Sequence, residues 1–246
     1  MNVGCVSYIN ALPLHLPFQL GHIHTCAQFT YAIPSVLNRM LSEEKLDVAL
    51  SSSVEYLDKN YRLLPHLGIV GLNQVLSVNL YTRTSVDRLD GARIGLTHHS
   101  ATSISLLKVL CRHFWKVSPK WENEPLSIYD AFLLIGNEAL KQDHVPGFQT
   151  IDLAAAWYEM TGLPFVFAVF SARKDIDNGR LDRLQQQLNS ALTWSEAHPQ
   201  EIEHAALIQC ELSLERIRAY YASLSYRLGP QEIESLELFR KYRLDV

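Results

Sequence analysis

The stretch Val3-Gly4-Cys5-Val6-Ser7-Tyr8-Ile9-Asn10-Ala11-Leu12-Pro13-Leu14 decides how this chain is read. A short apolar run ends abruptly in Ser7-Tyr8-Ile9-Asn10 and meets a proline three residues later. Buried strands end this way where their last side chains are presented to a ligand, and in open α/β sheets ligands sit at the carboxyl ends of strands. Ser7, Tyr8 and Asn10 offer hydroxyl and amide hydrogen bonds without a formal charge. A plain strand and turn has the same local signature. The later segments, taken together, decide between the two.

Outward from that strand, the first third alternates strands and helices. Pro34 to Leu41 repeats its apolar residues at three-to-four spacing and predicts a helix, with proline suited to the first turn. Leu46 to Leu50 predicts a buried strand that runs into Ser51-Ser52-Ser53, and Leu76 to Thr82 a third strand. A second α/β unit follows: strand Ala92 to Leu96, polar turn Thr97 to Ser103, and an amphipathic helix from Ile104 to Phe114. Ala131 to Gly136 and Leu163 to Phe170 predict two further buried strands. Beyond Arg173 the pattern reads as helices only, with a Leu181, Leu184, Leu188, Leu192 stripe and a last helix after Gly229-Pro230 carrying Ile233, Leu236 and Leu238.

These elements predict an α/β protein of two lobes with a ligand cleft between them and a helical C-terminal tail. The crossing points fall near Leu80–Arg83 and Phe167–Arg173. The first lobe is then discontinuous, 1–82 plus 171–246, and the second is 83–170.

The chain of 246 residues is 48% hydrophobic and 20% charged, ordinary for a globular protein. A net charge of −4 and the lack of a basic stripe argue against a nucleic-acid partner. Cys5, Cys26, Cys111 and Cys210 lie far apart with no C-x-x-C pair, so neither a metal site nor a disulfide framework is expected, and Cys5 and Cys111 read as reduced core residues. No segment is long and apolar enough for a bilayer span and no basic n-region opens the chain, so the sequence reads as cytoplasmic with no membrane partner. It leaves the oligomeric state open.

Candidate chemistry clusters in a few segments. Thr97 to Ser103 joins a strand to a helix, and Thr97, Ser100, Ala101, Thr102 and Ser103 stand where a helix N-terminus can hold an anion; Ser100 or Thr102 as a simple cap is the alternative. His98 and His99 are candidate acid/base groups or solvated loop residues. Ser51, Ser52 and Ser53 form a hydroxyl-lined pocket edge or a plain loop, flanked by Asp47 and Glu55 in structural roles. Ser77 places a hydroxyl in an apolar strand. Gly136 and Asn137 follow a buried strand, where glycine permits close approach. Trp157 reads as core or as an aromatic wall. The chain has no G-x-S-x-G elbow, Walker loop, G-x-G-x-x-G or H-E-x-x-H. The residues alone describe a site for a small anion and name no reaction.

As a set, these segments resemble the chorismate dehydratase family of the futalosine route to menaquinone. Val6 to Leu14 is similar to that family's V-S-Y-L-N-x-x-P-L, Val75-Leu76-Ser77-Val78 to its V-x-S-V, and Ser100 to Leu107 to its S-x-T-S-x-x-L-L. Leu133 to Leu140 is similar to L-L-I-G-D-x-A-L, and Asp152 to Val169 to D-L-x-x-x-W followed by T-G-L-P-F-V-F-A. The match runs from about residue 3 to residue 173. Asn137 stands where the family pattern has Asp. The sister 1,4-dihydroxy-6-naphthoate synthases open on a Ser-Pro-Cys-Pro-Asn-Asp type motif that Ser7-Tyr8-Ile9-Asn10 does not fit.

The resemblance implies a type II periplasmic-binding-protein-like fold used as a cytoplasmic hydro-lyase. Chorismate would lose water to give 3-[(1-carboxyvinyl)oxy]benzoate, without a cofactor or metal. Asn10 and Ser7 would act at the reacting ring and leaving hydroxyl. Tyr8, Ser51, Ser52, Ser53, Ser77, Thr97, Ser100, Ala101, Thr102, Ser103, Gly136 and Asn137 would bind the substrate. The alternatives are a non-catalytic small-anion binder of the same fold and the sister synthase activity.

Overall fold

The computed structural model describes residues 1–97, 100–122, 129–142 and 144–246. The chain begins with β1 (Asn2–Val6), α1 (Leu12–Gln19), β2 (Gln28–Ala32) and α2 (Pro34–Ser42). β3 (Val48–Ser52), α3 (Ser53–Asp58), β4 (Arg62–Gly71), β5 (Val78–Thr82) and β6 (Arg93–Gly95) follow. Next come α4 (Ala101–Val109), β7 (Lys120–Glu122), β8 (Ala131–Ile135), α5 (Gly136–Lys141), β9 (Gln149–Asp152) and α6 (Leu153–Thr161). The last third holds β10 (Phe165–Ala172), α7 (Asn178–Ala197), α8 (Pro199–Gln209), α9 (Leu214–Ala222), β11 (Leu224–Arg227) and α10 (Pro230–Arg243).

Two compact units result. The first comprises Met1–Val70 and Val166–Gly229, the second Gly71–Phe165 and Pro230–Val246. The first unit is built on a sheet of order β11-β4-β10-β3-β1-β2. β1 runs parallel to β2 and β3, whereas β10 returns antiparallel on β3, pairing Phe170 with Leu50. Val3 to Val6 and Val48 to Leu50 are buried without a break, the mark of strands covered on both faces. The leucine stripe of α7 is buried as its spacing predicts, with Leu188 fully inside. Gly68 of β4 leaves no room for a side chain, because a Cβ there would sit 2.6 Å from the Ala168 carbonyl.

The second unit carries a sheet of order β7-β6-β8-β5-β9. β6 is parallel to β7 and β8, and β5 is antiparallel to β8 and β9. Trp157 of α6 forms its aromatic core, edge-on to Phe165, Phe239 and Tyr242, with the indole N–H donating to Ser235 Oγ at 3.0 Å. Trp157 is therefore core and not a ligand wall. All four cysteines are free, and burial holds the Cys5 thiol far above its ordinary pKa.

The units divide elsewhere than the sequence reading placed them. β5 pairs with β8 and β9, so residues 78–82 lie in the second unit. Val166 to Phe170, read as second-lobe residues, lie in the first, where Ala168 to Ala172 pair with β3. The last helix, read as first-lobe, packs Phe239 on Trp157 and joins Arg243 to Ser105 Oγ at 3.0 Å, which puts it in the second unit. The tail is not helical throughout. β11 adds an edge strand, with Leu228 N donating to His66 O at 3.0 Å.

His15 of α1 is 3% exposed and packs against Tyr31 at 4.7 Å between ring centroids. Burial lowers its pKa from 6.5 to about 4, opposed by an interaction with the Val6 backbone. The imidazole is therefore neutral in the fold, while the unfolded chain takes up a proton below pH 6.5. Stability should fall as pH drops from about 6.5 to about 4, by about 3 kcal/mol from this group, and level off below. Urea unfolding across that range measures it, and His15→Leu should flatten the slope by that amount.

Candidate functional site

The first unit presents the end of β1. Ser7 N donates to Ala32 O at 3.0 Å, and Ile9–Ala11 then turn in a short 3-10 helix closed by Ala11 N to Tyr8 O at 3.0 Å. The Ile9 side chain is buried and anchors this loop, while Ser7 stays exposed. A proline shapes the helix beyond the loop. Pro17 lies inside α1 and has no N–H for the carbonyl of Pro13 four residues back. Ser195 Oγ of α7 fills that acceptor at 2.9 Å. Tyr221 OH of α9 donates to Ile9 O at 2.8 Å, and burial raises the phenol's pKa so that it stays a donor. Two helices from the far end of the chain thus pin the loop on either side of Asn10.

Asn10 Oδ1 is buried and meets no donor among the described residues. A buried acceptor left so costs about 1–3 kcal/mol, so it marks a place where a donor is expected from elsewhere.

The serine run divides. Ser51 Oγ lies 2.6 Å from Ser171 Oγ, and Ser53 Oγ donates to Val166 O at 2.6 Å, both fully buried. Ser52 Oγ caps α3 through Glu55 N at 3.2 Å and accepts from Asn38 Nδ2 at 3.1 Å. All three hydroxyls hold β3 to its neighbours, which corrects the expectation of a hydroxyl-lined pocket edge. Asp47 and Glu55 are structural as expected: Asp47 Oδ2 accepts from Asn2 N at 2.8 Å and Glu55 Oε1 from Tyr61 OH at 3.3 Å.

In the second unit, strand direction gathers the predicted residues at one edge. β6 runs parallel to β8, with Gly95 opposite Phe132, and β5, antiparallel to β8, starts where β8 ends, with Val78 opposite Ile135. Gly136 N donates to Ser77 O at 2.7 Å. Ser77, Gly136 and Asn137 therefore adjoin one another, at the edge toward which β6 also points. Gly136 has φ +61°, and a Cβ at this position would meet nothing within 4 Å, so backbone conformation and not space selects glycine. Asn137 Oδ1 is a second buried acceptor with no donor among the described residues.

Helix α4 begins three residues before the predicted Ile104. Ser100 is its N-cap, accepting from Ser103 N at 3.1 Å, with Ser100 Oγ 2.9 Å from Ser103 Oγ. The capping reading of Ser100 therefore holds. Thr102 and Ser103 are buried in the first turn, and Thr97 precedes it. Capping leaves the positive end of the helix dipole at the start of α4, which favours an anion. His98 and His99 lie outside the described residues. Among the described residues, no group of three or more His, Cys, Asp or Glu side chains is placed to hold a metal.

Two contributors escaped the sequence reading of single residues. Asp152 carries an N-cap signature for α6, but its further reach to the backbone of Val75 and Leu76 spans more than seventy residues. Tyr221 sits on a helix whose sequence shows nothing of its bond to Ile9.

The two sheets and their connections define a class. A Candida albicans protein described as having the generic periplasmic binding protein structural fold superposes with a TM-score of 0.71 at 13% identity, over 100% of this chain and 89% of that one. The Archaeoglobus fulgidus protein AF1704 superposes with a TM-score of 0.80 at 19% identity, over 99% and 96%. The fold is thus periplasmic-binding-protein-like. Within that class, the family model described as menaquinone biosynthesis matches residues 1–244, and the chain belongs to this family of menaquinone-biosynthesis enzymes. A chorismate dehydratase of Thermus thermophilus is 34% identical over 196 residues, 70% of each chain. One from Campylobacter jejuni is 36% identical over 176 residues, 70% of this chain and 67% of its own. A 1,4-dihydroxy-6-naphthoate synthase of Thermus thermophilus is 22% identical over 204 residues, 79% of this chain and 75% of its own.

Tyr221→Phe isolates the pin on the loop. Loss of the hydroxyl should cost about 1–2 kcal/mol by denaturant unfolding and speed hydrogen exchange at the Ala11 amide by about tenfold. Unchanged exchange there would mean that the loop holds its shape without the bond.

Proposed function

We propose that this protein is a hydro-lyase that dehydrates chorismate to 3-[(1-carboxyvinyl)oxy]benzoate in the cytoplasm. The observation that carries the reading is the pair of buried amide oxygens that meet no donor among the described residues, Asn10 Oδ1 and Asn137 Oδ1, in a chain that belongs to this family. The relatives at 34% and 36% identity support the choice of reaction.

The chemistry asks for little. The hydrogen on the ether-bearing ring carbon leaves as a proton and the neighbouring hydroxyl leaves with the bonding electrons of its C–O bond. The C–H electron pair becomes the new ring double bond, and aromatisation drives the step. Water is the second product. The protein's task is to hold two carboxylates, fix the ring and assist the departing hydroxyl.

The α4 N-terminus, with Ala101 and Thr102 in its first turn and Thr97 before it, receives a carboxylate through the helix dipole. Ser77 and Asn137 add neutral hydrogen-bonding groups. Asn10 Oδ1 accepts from the substrate hydroxyl and orients it, and its amide N–H₂ group with Ser7 Oγ supports the charge that builds as hydroxide leaves. Tyr8 lies between them in the loop. A substrate carboxylate serves as the proton acceptor, so the reaction needs no side-chain base.

Purified protein incubated with chorismate should yield a product lighter by one water with a benzoate ultraviolet spectrum. Asn10→Ala should lower kcat by about ten- to a thousandfold, the range for removing one oriented polar group. Chorismate bound but unchanged would make the chain a binder, and full activity in Asn10→Ala would remove that residue from the mechanism.

A further inference from the structure

Residues Val75 to Ser77 form a turn that leucine does not favour. Ser77 N donates to Val75 O at 2.7 Å, an i to i+2 bond, and the central residue Leu76 has φ +61°. A γ-turn with positive φ at its centre is rare and strained, the more so at a side chain larger than glycine. Strained backbone of this kind persists only where its surroundings over-determine it, and it gathers at ligand sites.

The determining group is a single carboxylate. Asp152 Oδ2 accepts from Val75 N at 2.9 Å and from Leu76 N at 2.6 Å. Its other oxygen, Oδ1, caps α6 through Ala154 N at 2.9 Å and Ala155 N at 3.0 Å. Capping alone needs one oxygen, and serine or asparagine would do it as well. The second oxygen is engaged by the turn. Asn79 Nδ2 adds a bond to Leu76 O at 3.0 Å, and Gly136 N one to Ser77 O at 2.7 Å. These partners of the turn fix the direction in which the chain enters β5 with Ser77 at its head.

We infer that Asp152 is a positioning residue: by clamping the strained turn at Leu76 it sets where Ser77 meets the substrate. The inference rests on the reading of Ser77 as a substrate contact. Asp152 itself touches no reacting atom. It acts through the backbone amides of Val75 and Leu76.

The turn and the cap can be separated. Asp152→Ser keeps an N-cap for α6 but is too short to reach the turn, so its melting temperature should stay within a few degrees of the parent while KM for chorismate rises about tenfold. Leu76→Gly removes the strain that the clamp opposes. In that background the same Asp152→Ser change should raise KM by no more than about threefold. An equal rise in both backgrounds, or no rise in either, would overturn the inference and leave Asp152 as a helix cap. Hydrogen exchange at the Ser77 amide supplies a readout independent of turnover. It should quicken in Asp152→Ser and recover in the double variant, so a chain that failed to convert chorismate would refute the proposed reaction while exchange still decided the clamp. Unaltered exchange in Asp152→Ser would overturn the clamp itself.

Discussion

Four backbone amides converge on the Asp152 carboxylate, and much of the second unit hangs from that convergence. The carboxylate joins the turn before β5 to the start of α6. β5 in turn lies between β8 and β9, so its starting point sets the register of both pairings. A slip of one residue would turn each side chain of the strand to the opposite face. A buried Leu80 and Tyr81 make such a slip costly once the start is fixed. The start of β5 therefore follows from one carboxylate and two of its hydrogen bonds to a turn.

The first unit solves a similar problem without a charge. A proline inside α1 frees one carbonyl, a serine hydroxyl from α7 occupies it, and a tyrosine from α9 takes the carbonyl of Ile9. Both donors are neutral, and the loop they hold carries only neutral polar groups. That matters for a dianionic substrate. A fixed carboxylate close to Asn10 would repel it, while hydroxyls, amides and a helix N-terminus attract or tolerate it.

Much of this was legible in the sequence, and the exceptions have physical causes. β1, α2, β3, β8 and the α7 stripe announce themselves by period and by burial on both faces or on one. Ser7–Asn10, Ser77 and Ser100–Ser103, which carry the resemblance, stand out because they sit at strand or helix ends where the pattern breaks. The serines at 51 and 53 misled, since a hydroxyl bonded to a neighbouring strand reads the same as one offered to a ligand. β11 was missed because four residues on an edge strand carry too little periodicity. The unit boundaries shifted because pairing partners, and not local composition, decide to which sheet a strand belongs. The roles of Asp152 and Tyr221 depend on partners 76 and 212 residues away, which a local reading cannot see.

Central to this mechanism is that the loop at the end of β1, with Asn10, meets the ligand. Amide chemical shifts recorded while the protein is titrated with 3-[(1-carboxyvinyl)oxy]benzoate, which is not turned over, test it most directly. The mechanism requires saturable shifts at Tyr8 to Ala11 that follow one binding curve. Shifts centred on other residues, with Tyr8 to Ala11 unmoved, would contradict it.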